Sequence, residues 1–148
     1  MATIIANGCF DLMHKGHRAF LLHAKFLGCD LRKLSNFNLS SNKLVVAVNS
    51  DASARRLKTG KWGEKYPIDS YAVRHANVAR FADVTLEFDS EEELHEIIKR
   101  HVPCILCKGP DYRGRRVTGD DLAPVVILDT DEPESVKEMK RRVYAGES

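Results

Sequence analysis

Five short apolar runs alternating with five longer amphipathic stretches predict an α/β domain with a doubly wound, mainly parallel five-stranded sheet. The character of the runs supports this: they are rich in β-branched residues and nearly continuous, as in strands buried on both faces. Right-handed crossovers would cover both sheet faces with helices and leave ligands to bind beyond the carboxyl ends of the strands.

The first strand is expected over 2–7, where Thr3-Ile4-Ile5-Ala6 is apolar, and a helix over 15–28, with Phe20, Ala24 and Leu27 at helical spacing. A polar interval, 29–42, reads as a loop insertion, in which Phe37 and Leu39 are either part of a tolerated surface excursion or a packing point for a partner. A strand at 43–49, helices at 52–58 and 69–82, a strand at 84–88 and a helix at 90–101 follow. Strands at 104–107 and 124–128 complete the sheet, and a last helix spans 133–144, with Asp131 as a plausible N-cap and Pro133 in the first turn. The whole chain, 1–148, reads as one Rossmann-like domain in which 133–148 form the last helix and a tail.

Composition fits a single core: 148 residues carry 43% hydrophobic content. A formal net charge of +2 gives no global field favouring nucleic acid or membrane. The sequence has no long apolar run and no charged-then-apolar leader before the first strand, so a cytoplasmic location is expected. Cys104 and Cys107 have CxxC spacing, but no second pair completes a metal site, and an apolar strand sends side chains three apart to opposite faces. The four cysteines read as reduced residues filling a core.

The segment Asn7-Gly8-Cys9-Phe10-Asp11-Leu12-Met13-His14-Lys15-Gly16-His17 carries the chemistry. It puts two histidines three residues apart where a strand gives way to a helix. Such a start offers unpaired N–H groups and a partial positive charge, so imidazoles and backbone donors would converge on one anion. Taken alone, the string is equally two surface histidines or half a zinc site. In this context it resembles the signature of the HIGH-motif nucleotidyltransferase superfamily, cytidylyltransferase-like branch.

Other segments carry the resemblance across most of the chain. Residues 47–58, Ala-Val-Asn-Ser-Asp-Ala-Ser-Ala-Arg-Arg-Leu-Lys, look like the second block of bacterial D-β-D-heptose 1-phosphate adenylyltransferases. Residues 67–74 resemble that branch's next helix start, and Cys107-Lys108-Gly109-Pro110-Asp111-Tyr112 its Lys-Gly-x-Asp-Tyr loop. The overall plan is similar, more distantly, to glycerol-3-phosphate cytidylyltransferase.

The resemblance implies attack of a substrate phosphate oxygen on the α-phosphorus of a nucleoside triphosphate, with release of pyrophosphate and no covalent enzyme intermediate. His14, His17 and Lys58 would be catalytic, the histidines at the α-phosphate and Lys58 opposite them. Asn7, Gly8, Cys9, Phe10, Gly16, Lys108, Gly109 and Asp111 would bind the nucleotide, with Thr130 and Ser135 as the remaining hydroxyl candidates at the last helix. Asp11, Asp51, Arg74, Arg113 and Arg115 are assigned to the phosphorylated acceptor. Asp11 would alternatively orient the motif loop, Asp51 cap a helix, and Lys58, Arg74 and Arg113 serve as solvated charges.

Magnesium would come with the triphosphate, held by its oxygens and water, with no protein metal ligand assigned. ATP is expected as the donor and a sugar phosphate as the acceptor. The alternatives are a CTP-dependent enzyme acting on a small phosphate, or a nucleotide-binding regulator without turnover. A homodimer is expected, with neither nucleic acid nor membrane as a partner. The chain departs from the branch at Asp131-Glu132-Pro133-Glu134, where a Ser/Thr-rich stretch is expected. Acidic residues there compete with phosphate for the helix N-terminus, so weakened triphosphate binding is expected, compensated by magnesium or Arg115.

Overall fold

In a computed structural model, which describes residues 2–27, 42–63, 65–129 and 134–145, five parallel strands form one sheet in the order β3-β2-β1-β4-β5. The strands are β1 (Thr3–Gly8), β2 (Lys43–Asn49), β3 (Val84–Phe88), β4 (Ile105–Lys108) and β5 (Val125–Ile127). The helices are α1 (Lys15–Lys25), α2 (Asp51–Trp62), α3 (Tyr71–Ala79), α4 (Glu91–His101) and α5 (Glu134–Tyr144). Strand order reverses between β1 and β4, so the loops that leave these neighbours diverge and open a crevice.

Alternation along the strands builds two cores. Ile4 and Ala6 of β1 and Leu44, Val46 and Val48 of β2 face α1 and α3, meeting Leu21, Ala24 and Val78. Ile5, Val45 and Ala47 point the other way, onto Leu94, Ile97 and Ile98 of α4. The Ile, Leu and Val side chains among these contribute about 1.5–3 kcal/mol each on burial.

Local signals set the boundaries. The Ser70 hydroxyl accepts a hydrogen bond from Val73 N–H at the start of α3, and Ser90 does the same for Glu93 in α4. Three glutamates open α4 and Lys99, Arg100 and His101 close it, matching the helix dipole. The expected helix 69–82 therefore shortens to begin after its Ser70 cap, whereas that at 52–58 extends through Trp62.

The strand expected at 104–107 is shifted by one residue. Cys104 is exposed and precedes it, which corrects the reading of that cysteine as core, while Cys107 is buried and its thiol is pushed up to about 12 by burial. Cys29 and all of the expected 29–42 insertion but Asn42 lie outside the described residues, as do Asp131 and Pro133. Among the described residues no helix is long and apolar enough to cross a membrane.

Candidate functional site

The loop that leaves β1 is held in a shape that most side chains avoid. Phe10 and Leu12 adopt left-handed backbone conformations, with φ of 53° and 51°. What holds them is a clamp built with residues 66–74. The buried Asp11 carboxylate accepts hydrogen bonds from Ile68 N–H and Asp69 N–H, each 2.9 Å, and from the Tyr144 hydroxyl, also 2.9 Å. In return, Leu12 N–H donates to the Asp69 carboxylate at 3.2 Å. With three donors on its carboxylate, Asp11 braces the motif loop, the alternative role expected of it.

Beneath the loop lies Arg74, 0% exposed. Its Nη1 donates to the carbonyls of Cys9 (2.9 Å) and Asn49 (2.8 Å), its Nε to Asp69 O (3.1 Å) and its Nη2 to the Asp51 carboxylate (2.7 Å). Arg74 thus ties the ends of β1 and β2 to the start of α3. Neither Arg74 nor Asp51 lines the cleft, so both depart from the substrate-binding role expected of them. Nor does Asp51 cap α2, because the Ser50 hydroxyl accepts from Ser53 N–H.

On this base the two histidines meet. His14 is the N-cap of α1, and its Nδ1 accepts a hydrogen bond from Gly16 N–H at 3.0 Å, which leaves Nε2 to carry the proton of the neutral ring. The His14 and His17 rings stack 3.8 Å apart at 23°, and Phe10 packs edge-on to His17 at 5.5 Å. Burial first, then the charges of His14, Lys140 and Arg18, push His17 down to about 3, so it is neutral at physiological pH. Its Nδ1 is buried with no hydrogen-bond partner among the described residues. Gly16 is required by this geometry, since a Cβ there would lie 2.9 Å from His14 Cε1.

Both rings line a cleft of about 920 Å³ at the carboxyl ends of β1 and β4. Lys108, the last residue of β4, reaches it from below, its ammonium bonded to Asn7 Oδ1 and 4.9 Å from the centre of the Tyr112 ring. Burial lowers Lys108 to about 8. Arg115 stacks against Tyr112, its guanidinium carbon 5.4 Å from the ring centre.

Of the residues expected at the site, Asn7, Gly8, Cys9, Phe10, Asp11, His14, Gly16 and His17 share this cleft with Lys108, Gly109, Asp111 and Arg115. Arg113 does not; it is exposed and pairs with Asp129 instead. Ser135 is also exposed and away from the lining. Thr130 and the Lys58 side chain lie outside the described residues, although Leu57 beside it lines the cleft. Sequence reasoning missed one wall, formed by Lys137, Lys140, Arg141 and Tyr144 of α5. Their spacing of three, four and seven residues puts them on one helical face, a signal present in the sequence.

Fold and cleft together define a Rossmann-like α/β domain whose histidine loop sits at the topological switch point. Among curated proteins the chain is similar to the bifunctional protein HldE. It is 38% identical to that of Campylobacter curvus over 128 residues, 85% of this chain and 24% of the relative. For Wolinella succinogenes the figures are 39% over 127 residues, 84% and 23%, and for Campylobacter jejuni (strain 81116) 35% over 143 residues, 95% and 27%. The chain thus spans about a quarter of the length of these relatives. No family model matches it.

Among solved structures, the lipopolysaccharide core biosynthesis protein from Thermoplasma volcanium superposes with a TM-score of 0.62 at 23% identity, covering 89% of this chain and 99% of that one. A protein of unknown function from Archaeoglobus fulgidus gives 0.55 at 18%, covering 86% and 89%. These two share the fold.

Proposed function

We infer that this chain is a nucleotidyltransferase that moves the nucleoside monophosphate of ATP onto a phosphorylated sugar of the heptose 1-phosphate type and releases pyrophosphate. The observation that carries this reading is the stacked His14–His17 pair at the start of α1, opening on a cleft rich in cations. An oxygen of the acceptor phosphate attacks the α-phosphorus; a P–O bond forms there as the bond to the bridging oxygen of the β-phosphate breaks, and pyrophosphate leaves with the electron pair. Charge builds on the non-bridging oxygens, and His14 Nε2–H and the positive end of the α1 dipole stabilise it, Gly16 N–H being taken by His14 Nδ1. A neutral His17 supplies hydrogen bonding without the cost of a buried charge, and Lys108 supplies the fixed cation.

The resemblance of residues 47–58 to heptose 1-phosphate adenylyltransferases, joined by similarity to HldE, favours ATP over CTP and assigns Lys58 to neutralising the attacking phosphate. Magnesium would be held by the triphosphate oxygens, where it offsets charge on the leaving pyrophosphate; among the described residues no three His, Cys, Asp or Glu side chains are grouped to hold an ion themselves. A cytoplasmic homodimer is part of the same reading.

The test is pyrophosphate release by the purified protein with labelled ATP or CTP across a panel of phosphorylated acceptors. Release with ATP and a sugar 1-phosphate is expected. Clear preference for CTP would overturn the adenylyl assignment, and tight nucleotide binding without release from any pair would make the chain a regulator.

A further inference from the structure

Asn7 and Lys108 stand where β1 and β4 end side by side. The parallel register pairs Ala6 with Cys107, so the next residue of each strand, Asn7 and Lys108, comes out on one face, that of Ile5, Leu106 and α4. Lys108 is 5% exposed, and lysine is almost never so deeply buried without an anionic partner. Among the described residues its ammonium forms no ion pair; its contacts are Asn7 Oδ1 and the ring of Tyr112. Glu91 of α4 is close enough to favour the charged form, but burial outweighs it. The loop after β4 adds Asp111 and Arg115 to the same cleft, α1 its neutral His17, and α5 Lys140.

The choice of an amide beside this lysine has a chemical consequence. An ammonium only donates, so the amide oxygen faces it and holds it through a dipole while leaving its full charge in place. An aspartate in the same position would form an ion pair and cancel that charge before any ligand arrived. A polar but uncharged partner suits a buried cation whose counter-ion comes with the ligand.

We propose that Asn7 is a positioning residue that fixes the Lys108 ammonium at the floor of the cleft without neutralising it, so that a ligand phosphate becomes its counter-ion. Asn7 then acts through Lys108 rather than by the direct contact with nucleotide expected of it. The assignment rests on the nucleotidyl-transfer reading for its choice of phosphate as the anion, but its test needs no turnover.

Calorimetric titration with ATP between pH 6 and 10 reads it, in the wild type and in Asn7→Asp and Asn7→Leu. Wild-type affinity is expected to fall as pH rises past about 8, where Lys108 loses its proton. Asn7→Asp stabilises the ammonium but pairs it, so affinity at pH 7 should drop about tenfold or more and the falling limb move up by about one pH unit. Asn7→Leu removes the acceptor, so its limb should move down by about as much. A residue that merely shaped the loop would lower affinity at every pH and leave the limb in place. A wild type without a falling limb, limbs that coincide with the wild type in both variants, or undiminished affinity at pH 7 in Asn7→Asp each overturns the proposal. Should neither variant fold, acetylation of wild-type lysines read by mass spectrometry decides: Lys108 must react with a midpoint near pH 8 and ATP must protect it, and failure of either is equally fatal. Limbs that shift in opposite directions in a protein that releases no pyrophosphate would defeat the transfer reading and leave this role of Asn7 standing.

Discussion

Replacing Arg74 with methionine keeps an unbranched apolar stem and removes every donor, so it tests whether this residue is a structural hub or an acceptor ligand. Arg74 makes two fully buried bonds, to Cys9 O at 2.9 Å and Asn49 O at 2.8 Å. Hydrogen bonds to a charged group contribute about 1.5–3 kcal/mol each, and carbonyls left unpaired in the interior cost about 1–3 kcal/mol each. The link to Asp51, whose side chain is 37% exposed, adds little because water screens it. Allowing for partial relaxation, the loss is about 4 kcal/mol, a large part of the roughly 5–15 kcal/mol that stabilises a domain of this size. At about 2–4 °C per kcal/mol this lowers Tm by roughly 8–16 °C. Urea unfolding followed by far-UV circular dichroism measures it, with Arg74→Lys expected to recover about half. Well below its Tm the methionine variant should retain the wild-type KM for acceptor. A loss under about 1 kcal/mol together with a raised acceptor KM would refute the reasoning and return Arg74 to the substrate.

Removing the imidazole in His17→Ala is expected to lower kcat about a hundredfold, on the order of 3 kcal/mol of transition-state stabilisation, with nucleotide affinity nearly unchanged; steady-state kinetics beside direct binding would expose the opposite pattern. In Gly16→Ala the new Cβ, 2.9 Å from His14 Cε1, must push the ring aside, so a fall in kcat of roughly ten- to a hundredfold with little change in the urea midpoint is expected. An unaltered rate would mean that the His14–Gly16 geometry is idle. Lys108, with its folded value near 8 against 10.5 when free, is charged below pH 8 and loses its proton as pH rises through that value. Activity under kcat/KM conditions should therefore fall above about pH 8, and Lys108→Gln should flatten that limb. Between pH 8 and 10.5 the unfolded chain binds the extra proton, so this group makes stability rise with pH across that window, which equilibrium unfolding at several pH values would detect.

The sheet was legible because its residues repeat a local rule. Ile4, Ile5, Val45 and Val46 are apolar without a break, and only a parallel sheet covered on both faces hides all of them. The motif loop was legible too, since Gly16, His14 and His17 act within three residues of one another. What escaped was decided by distant partners. Nothing near Arg74 in the chain announces that it will be sealed beneath Cys9 and Asn49, residues 65 and 25 positions away. The partners that brace Asp11, namely Ile68, Asp69 and Tyr144, lie just as far from it in the chain. The α5 face was visible as a spacing, but only docking through Tyr144 decides that its cations turn inward rather than to water.

The bond from Tyr144 to Asp11 joins positions 133 apart in the chain. A contact of that span forms only after the intervening strands and helices have assembled, because closing so long a loop has to be repaid by structure already in place. The final shape of the histidine loop is therefore expected to wait on the docking of α5 against the sheet. During refolding, ellipticity should return before competence to bind nucleotide does.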